Sequence, residues 1–301
     1  KNQGVCKVNT PKRHHYLPKL YLKRFCTNEQ LFIYDRKKNE IRPQTPVNTG
    51  VQFHYYSSIN EKGEKKPEIE TDLLSRIDND ANNVIEKILK NEQINEFDKE
   101  KLSIFLGFMV HRVPYFENSF NSMYSYINKK LLNSIFCSEE LVQIMTADNE
   151  ENITAEEFVD FYKNSNLKIT PHRNESLRFM LNQSFVASEC FMQYKWEVLH
   201  CSSESSFITS DNPVITTKFV EQSTGENLGN LILFPLSNNL CLSMFHKGTE
   251  VVFNEINQSS VEKINAVIAT NSYQYILGKD KTIIEKIVAE NKIQGINNKK
   301  M

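Results

Sequence analysis

The chain has 301 residues, and its 36 Lys and Arg residues nearly balance its 37 Asp and Glu residues, so the formal net charge is −1. Apolar residues make up 40% and charged residues 24%, with only 9 Gly and 9 Pro, which excludes a disordered, collagen-like or low-complexity chain. No apolar run approaches about 18 residues and no apolar signal segment opens the sequence, so we expect no membrane contact, no secretion and a cytoplasmic location.

Several common functional classes lack their sequence signatures. The six cysteines are scattered, and no two have the C-x-x-C spacing of a zinc knuckle or a redox pair, so we expect reduced thiols. The motifs G-x-x-x-x-G-K-[ST], G-x-G-x-x-G, H-E-x-x-H and G-x-S-x-G are absent as well. ATP-driven motors, Rossmann dehydrogenases, zincins and α/β-hydrolases therefore lose their main sequence support, and no cofactor-binding residue is predicted.

The first predicted unit, residues 1–60, is a basic segment with a short helix and a β-hairpin. Apolar residues at helical intervals over 17–25 predict the helix, which follows Pro18. Apolar residues 31–34 and 41–43 flank a polar turn, which predicts the hairpin.

The second predicted unit, residues 61–192, is helical. Apolar residues at helical spacing over 69–88, after Pro67, predict one helix. Asp98 is expected to cap a helix that is apolar nearly all round and therefore central, and Pro114 interrupts it before a further helix over 116–131. Residues 154–157 form a capping-box pattern before a short helix, and residues 177–192 predict another helix.

The third predicted unit, residues 193–301, is rich in strands. Six short β-prone segments fall between residues 195 and 253, followed by a helix over 259–270, a strand over 273–277 and a helix over 281–291. The predicted fold class is α+β, with a helical central part packed on a largely antiparallel C-terminal sheet and a small N-terminal hairpin. We expect the three units to form one compact body.

Two blocks of like charge interrupt the near-neutral sequence. Residues 1–28 carry seven bases and no acid, whereas residues 138–160 carry eight acids and no base. Both patterns are typical of solvated surface. Alternatively, the basic strip binds anions and the acidic block shields or contacts it.

Three sequence features are candidates for chemistry. His14 and His15 are adjacent, so at most one is expected to act on a ligand as acid or base while the other holds structure. Arg112 ends the apolar helix and requires an anionic partner, either a buried carboxylate (Glu70, Asp72 or Asp211) or a bound anion. Residues 207–214 bring Asp211 and Asn212 to a strand end before Pro213, where bonding to their own backbone in a turn is favoured over a carboxylate in a cleft.

The remaining polar landmarks have structural interpretations. Tyr34, Asp35 and Arg36 suit the end of a hairpin, and the single Trp, Trp196, suits the core. Asn265 is the one polar residue on the apolar face of its helix, so we expect a buried amide that ties two segments together.

Together these motifs resemble the family DUF4238, a domain of unknown function. The resemblance rests on residues 14–25 and 207–214, with weaker support from 34–36, Glu70, 111–114, Trp196, 234–237 and Asn265. It extends over about residues 12–280. It implies that His14, His15, Arg112, Asp211 and Asn212 belong to the family pattern, but it brings no established reaction.

The leading functional hypothesis is cleavage of phosphodiester bonds, by a nuclease or a related effector of a bacterial defence or toxin system. The basic strip, with Tyr16, Tyr21 and Phe25 interleaved, suits phosphate contact and base stacking of a nucleic acid. The candidate catalytic set is His14, His15, Arg112, Asp211 and Asn212.

Two versions of the reaction follow from these residues. Without metal, His15 is the general base, Arg112 stabilises the phosphate charge and Asp211 orients His15. With metal, Glu70 and Asp211 hold Mg²⁺. The alternatives are a non-enzymatic module that binds nucleic acid or an acidic protein through the basic strip, and a scaffold in which the motifs are purely structural.

Overall fold

A computed structural model describes residues 12–136, 154–164, 168–220 and 227–296. The fold is α+β, with helices in the middle of the chain and antiparallel sheets before and after them, as the sequence predicts. Most of the predicted acidic block, residues 138–153, and the first two lysines of the basic strip lie outside the described residues.

The helices follow the predicted apolar spacing. A π-helical turn, Ile69–Leu74, runs directly into the second helix. The helices are α1 (Lys19–Lys23), α2 (Ser75–Leu89), α3 (Glu96–His111), α4 (Pro114–Phe136), α5 (Ala155–Asn164), α6 (Arg173–Met192), α7 (Gln258–Thr270) and α8 (Lys281–Glu290).

The strands include the predicted hairpin and the predicted C-terminal strands. Several further strands have only two or three residues, which is too short for a sequence pattern to indicate. The strands are β1 (Arg13–His15), β2 (Leu31–Asp35), β3 (Glu40–Gln44), β4 (Val51–Phe53), β5 (Ser58–Ile59), β6 (Lys65–Lys66), β7 (Tyr194–Cys201), β8 (Thr209–Ser210), β9 (Ile215–Val220), β10 (Asn227–Pro235), β11 (Leu240–Lys247), β12 (Val251–Ile256) and β13 (Tyr275–Gly278).

Two larger sheets organise the molecule. The first has the order β12-β7-β11-β10-β9, and its pairs are antiparallel except for the parallel pair of β12 and β7. The second has the order β3-β2-β13-β8, so the N-terminal hairpin pairs with β13 near the other end of the sequence. This pairing places the N-terminal hairpin next to β13, which comes more than 200 residues later in the sequence.

Helix α3 is central because it is apolar on nearly every side. Its N-cap is Asn95, and Asp98, in the first turn, completes a reciprocal capping box with it. The prediction that Asp98 is itself the N-cap is therefore wrong, since the cap lies three residues earlier. The Phe105 ring meets the Phe234 ring of β10 edge-on at 6.1 Å, and α6 packs along the other side of the helix.

Asn265 is a buried tie, as the sequence predicts. Its side-chain oxygen accepts the backbone N–H of Ile208 at 3.0 Å, and its amide donates to the carbonyl oxygen of Ser206 at 2.8 Å. These two bonds attach helix α7 to the segment that leads into Asp211.

Across the described ranges, no helix combines the length and the apolar character that crossing a bilayer requires.

Substitution of Gly107 tests whether α3 and α6 pack as closely as the structure shows. A Cβ at this position would overlap the carbonyl oxygen of Ser184, so Gly107→Ala should lower the free energy of unfolding by about 1–3 kcal/mol. In an unconstrained helix the same change would be stabilising. Ser103→Ala, on the same helix, is the control, because it removes a buried hydroxyl without a hydrogen-bond partner and should leave stability equal or higher. Equal urea midpoints for Gly107→Ala and the wild type would contradict this packing.

Candidate functional site

The two adjacent histidines have different environments. His14 is fully buried, and its Nδ1 accepts the backbone N–H of Tyr56 at 2.9 Å while the two rings stack. His15 is half-buried, and its Nε2 donates to the carbonyl oxygen of Val47 at 3.2 Å. Because a carbonyl oxygen only accepts, neutral His15 carries its proton on Nε2 and presents Nδ1 as an acceptor.

Glu70 lies directly beside His15. It belongs to the π-helical turn before α2, a rare geometry that is frequent at functional sites. Its Oε1 accepts the backbone N–H of His15 at 3.3 Å, and its buried Oε2 has no hydrogen-bond partner. Burial raises the pKa of Glu70 to about 7, although the positive charge of Arg112 and the N–H of His15 act in the opposite direction.

Arg112 is a fully buried cation at the end of α3. Its Nη1 donates to Asp78 Oδ1 at 2.8 Å, and its guanidinium lies 5.4 Å from the centre of the Phe105 ring. The Tyr56 hydroxyl donates to the Arg112 carbonyl oxygen at 2.7 Å. Burial raises the pKa of Asp78, against the charge and the hydrogen bond of Arg112. The interpretation of Arg112 as half of a buried ion pair describes this arrangement, with Asp78 in place of the three carboxylates that the sequence suggested.

Burial and nearby cations disfavour the protonated form of His15. Its pKa is lowered to about 4, mainly by burial and also by the charges of Lys19, Arg13 and Arg112, although the bond to Val47 acts in the opposite direction. At neutral pH His15 is therefore an uncharged hydrogen-bonding group, and Glu70 is the group that can exchange a proton.

Asp211 lies in a different bonding environment. Its Oδ1 accepts the backbone N–H of Tyr273 at 2.9 Å, and its Oδ2 accepts that of Gln274 at 2.7 Å. Burial raises its pKa to about 6, although these backbone donors lower it. Asp211 thus joins the end of β8 to the start of β13 and makes no bond to His15.

The prediction that the side chains of Asp211 and Asn212 close a local turn by bonding to their own backbone is wrong. The turn is closed by Ser210, whose Oγ accepts the N–H of Asn212 at 3.2 Å and donates to its carbonyl oxygen at 2.8 Å. The Asn212 side chain instead donates to the carbonyl oxygen of Asn271 at 3.1 Å. Both polar side chains therefore bond to a segment about 60 residues further along the chain.

The structure brings together part of the predicted set. His15, Glu70, Asp78 and Arg112 form one group, which we call the Glu70 cluster. Asp211 exerts its charge on Tyr16, Tyr273 and Tyr275, which are outside that cluster. Within the described ranges, no three His, Cys, Asp or Glu side chains are grouped as a metal site requires, and the Mg²⁺ site at Glu70 and Asp211 stays a prediction.

In the structure, four cations of the basic strip are exposed and its aromatic side chains are buried. Its exposed cations are Lys12, Arg13, Lys19 and Lys23. Arg24 is held by Glu86 at 2.9 Å. The interleaved aromatics are in the core, since the exposed fractions of Tyr16, Tyr21 and Phe25 are 4%, 1% and 0%. The expectation that these three rings stack on bases is therefore wrong, and the strip offers charge alone.

A groove runs along helix α1 beside the Glu70 cluster. It encloses about 800 Å³ and is lined by Lys19, Lys23 and Val47, among others. Val47 is also the residue whose carbonyl oxygen holds the His15 ring. His15 therefore contacts a residue of the groove wall, and the charge of Lys19 in the groove acts on both His15 and Glu70.

Sequence reasoning missed Asp78. The signal was present, because Asp78 follows Leu74 by four residues and so shares the buried face of α2. It also missed Val47, for which a loop sequence gives no comparable signal.

Comparison with known proteins gives a family and no closer relative. The family DUF4238, described as proteins of unknown function, matches residues 13–282. No curated protein and no solved structure matches the chain.

The raised pKa of Glu70 predicts a pH dependence of stability. A carboxyl whose pKa is about 7 when folded and 4.5 when unfolded binds more protons in the folded state, so its contribution to stability is lost as pH rises from about 4.5 to 7. Glu70→Gln should therefore be more stable than the wild type at pH 8, by up to about 3 kcal/mol. The gain should vanish at pH 4, as measured by urea denaturation at both pH values.

Glu68→Gln is the matched control, because Glu68 is exposed on the same segment. A Glu70→Gln variant that lost stability equally at pH 4 and pH 8 would contradict the raised pKa.

Proposed function

The chain belongs to the DUF4238 family, and because that membership names no reaction, we propose from the geometry that the protein cleaves phosphodiester bonds with Glu70 as its proton-transfer group. The observation that carries this proposal is the Glu70 carboxyl, with a pKa of about 7 and one oxygen without a partner. General acid–base catalysis at neutral pH requires a group of this kind.

Substrate binding is assigned to the groove along α1. Lys19 and Lys23 line it with exposed ammonium groups, and Arg13 lies exposed nearby with one guanidinium nitrogen on Val47 and Asn48. Cations in a groove attract a phosphate backbone without reading its sequence. We therefore expect a single-stranded or flexible nucleic acid that is bound mainly through its phosphates.

The chemical step is hydrolysis of one phosphorus–oxygen bond. The Glu70 carboxylate takes a proton from a water molecule as the water oxygen bonds to phosphorus. The bond from phosphorus to the leaving oxygen breaks, and the proton held by Glu70 then passes to that oxygen. The neutral His15 ring, with Nδ1 as an acceptor, helps to orient the water, and Lys19 offsets the growing phosphate charge.

Other predicted residues act through their neighbours in this proposal. Arg112 is completely enclosed, so it positions the Glu70 cluster instead of contacting the phosphate. His14 holds β1 to Tyr56, and Asp211 and Asn212 hold β8 to the segment before β13. An effector that degrades nucleic acid in this way would suit the bacterial defence or toxin role suggested by the sequence.

A nucleic-acid-binding module without catalysis is the second candidate. It is favoured by one observation: the catalytic oxygen of Glu70 is buried, whereas the cations of the strip are exposed. Salt-dependent binding without cleavage would support this alternative.

Glu70→Gln should abolish cleavage and preserve binding. We expect the cleavage rate on labelled single-stranded RNA or DNA to fall about 10²–10⁴-fold, because the proton acceptor is lost. The wild-type rate should rise with pH through a pKa near 7, since Glu70 acts first as a base. Glu68→Gln should cleave at the wild-type rate, and cleavage that survived in Glu70→Gln would refute the assignment.

The groove lysines should determine the salt dependence of binding. Replacing Lys19 and Lys23 together by Ala should weaken binding to single-stranded nucleic acid and reduce the slope of log K against log salt by about 1–2. The matched control replaces Lys62 and Lys263, two exposed lysines away from the groove. If both double variants showed the same slope in fluorescence anisotropy titrations, the groove would not be the contact surface.

A further inference from the structure

A second cavity lies at the junction of the N-terminal hairpin, the start of α4 and the segment before β13. It has a volume of about 270 Å³ and is lined mainly by polar side chains, including Tyr16, Lys37, Arg42, Gln52, Asp211 and Tyr275. Neither the Glu70 cluster nor the groove along α1 contributes to its lining, apart from the loop that follows Thr45.

Strand register explains why these residues converge. Ile33 pairs with Arg42 across β2 and β3, and Asp35 pairs with Tyr275 across β2 and β13. Residues two apart on a strand share a face, so Arg42 and Tyr275 lie on the same side of the sheet. Tyr16 and Asp211 also line the cavity, and the charge of Asp211 raises the pKa of Tyr16 in addition to the larger effect of burial.

The cavity is electrically polarised. Its inner end holds the Asp211 carboxylate, with an exposed fraction of 1%. Its outer end holds the exposed Lys37 and the partly exposed Arg42. The inner end therefore accepts hydrogen bonds, and the outer end can bind an anion through Lys37 and through the guanidinium nitrogens of Arg42 that do not face Glu40.

Two polar groups of the lining form no hydrogen bond within the described residues. The Tyr16 hydroxyl, on a side chain with an exposed fraction of 4%, forms no hydrogen bond there. The Arg42 Nε is buried and also lacks a hydrogen-bond partner, although Glu40 Oε1 lies 3.4 Å away. A buried polar group without a hydrogen bond is costly, so the Arg42 Nε indicates a polar ligand, and the Tyr16 hydroxyl in the same lining is available to bond to it.

We propose that this cavity binds a small phosphorylated sugar, either free or as part of a nucleotide. The phosphate lies at Lys37 and Arg42, and sugar hydroxyls donate to Asp211 and bond to the Tyr16 hydroxyl. The polar lining disfavours an apolar ligand, and an exposed cationic end together with a buried acceptor suits a molecule with one anionic and one hydroxyl-rich end. This site is independent of the proposed phosphodiesterase activity, because it uses none of the residues assigned to proton transfer or to the groove.

The test is calorimetric titration of the full chain with four defined probes: adenosine 5′-monophosphate, ribose 5-phosphate, ribose and inorganic phosphate. We expect one or both of the phosphorylated sugars to bind at least tenfold more tightly than ribose or inorganic phosphate. Tighter binding of the nucleotide would identify a nucleotide site, and equal binding of ribose 5-phosphate would identify a sugar phosphate site.

Variants locate the binding. Tyr16→Phe removes only the unpartnered hydroxyl and should weaken binding about threefold to tenfold, and Arg42→Gln should weaken it at least tenfold. Lys38→Ala is the control, since Lys38 is exposed in the same turn as Lys37 and outside the lining. Asp211→Asn replaces a buried acceptor that also holds the fold together. The melting temperature of this variant is therefore measured first, and its affinity is measured only if the variant is folded.

Any of three results would overturn the proposal. The first is that neither phosphorylated sugar binds at millimolar concentration, and the second is that inorganic phosphate binds as tightly as the phosphorylated sugars. The third is that folded Tyr16→Phe and Arg42→Gln bind them with the affinity of the wild type. Each result can occur whether or not Glu70→Gln abolishes nucleic-acid cleavage, so the two proposals fail separately.

Discussion

A buried guanidinium must be neutralised where it lies, and Arg112 meets this requirement through Asp78 at 2.8 Å. The pair joins the end of α3 to α2. The carbonyl oxygen of Arg112 then accepts the Tyr56 hydroxyl, and the Tyr56 backbone N–H donates to His14. Loss of one partner of such a pair costs about 3–5 kcal/mol, so the position of β1, and of His15 on it, depends on this ion pair.

The same pair shapes the chemistry of Glu70. Arg112 is close enough to lower the pKa of Glu70, but Asp78 already neutralises it and adds a negative charge of its own. Burial therefore dominates, and the carboxyl is poised near neutral pH. An unpaired arginine at this position would keep Glu70 ionised, which suits a salt bridge better than proton transfer. A buried ion pair next to a second carboxyl, one oxygen of which has no hydrogen-bond partner, is thus the physical basis of the proposed function.

Sequence reasoning succeeded where one residue had few physical options and failed where the partner was distant in sequence. Asn265 stood alone on an apolar helix face, so a buried amide tie was predictable. Arg112 required an anion, and the spacing from Leu74 places Asp78 on the buried face of α2, but the pairing of the two residues depends on how α2 packs against α3. A local turn was predicted for Asp211 because its actual partners, the N–H groups of Tyr273 and Gln274, lie more than 60 residues away. Tyr16, Tyr21 and Phe25 resembled a stacking surface because exposure cannot be inferred from alternation with lysines.

The most direct test of this account is a carbon-13 NMR titration of the glutamate side-chain carboxyls, in the wild type and in Glu70→Gln. The account predicts one carboxyl resonance that titrates near pH 7 in the wild type and is missing in the variant. A Glu70 resonance that titrates between about pH 4 and 5, as in an exposed glutamate, would contradict the central claim that burial holds this group ready for proton transfer at neutral pH.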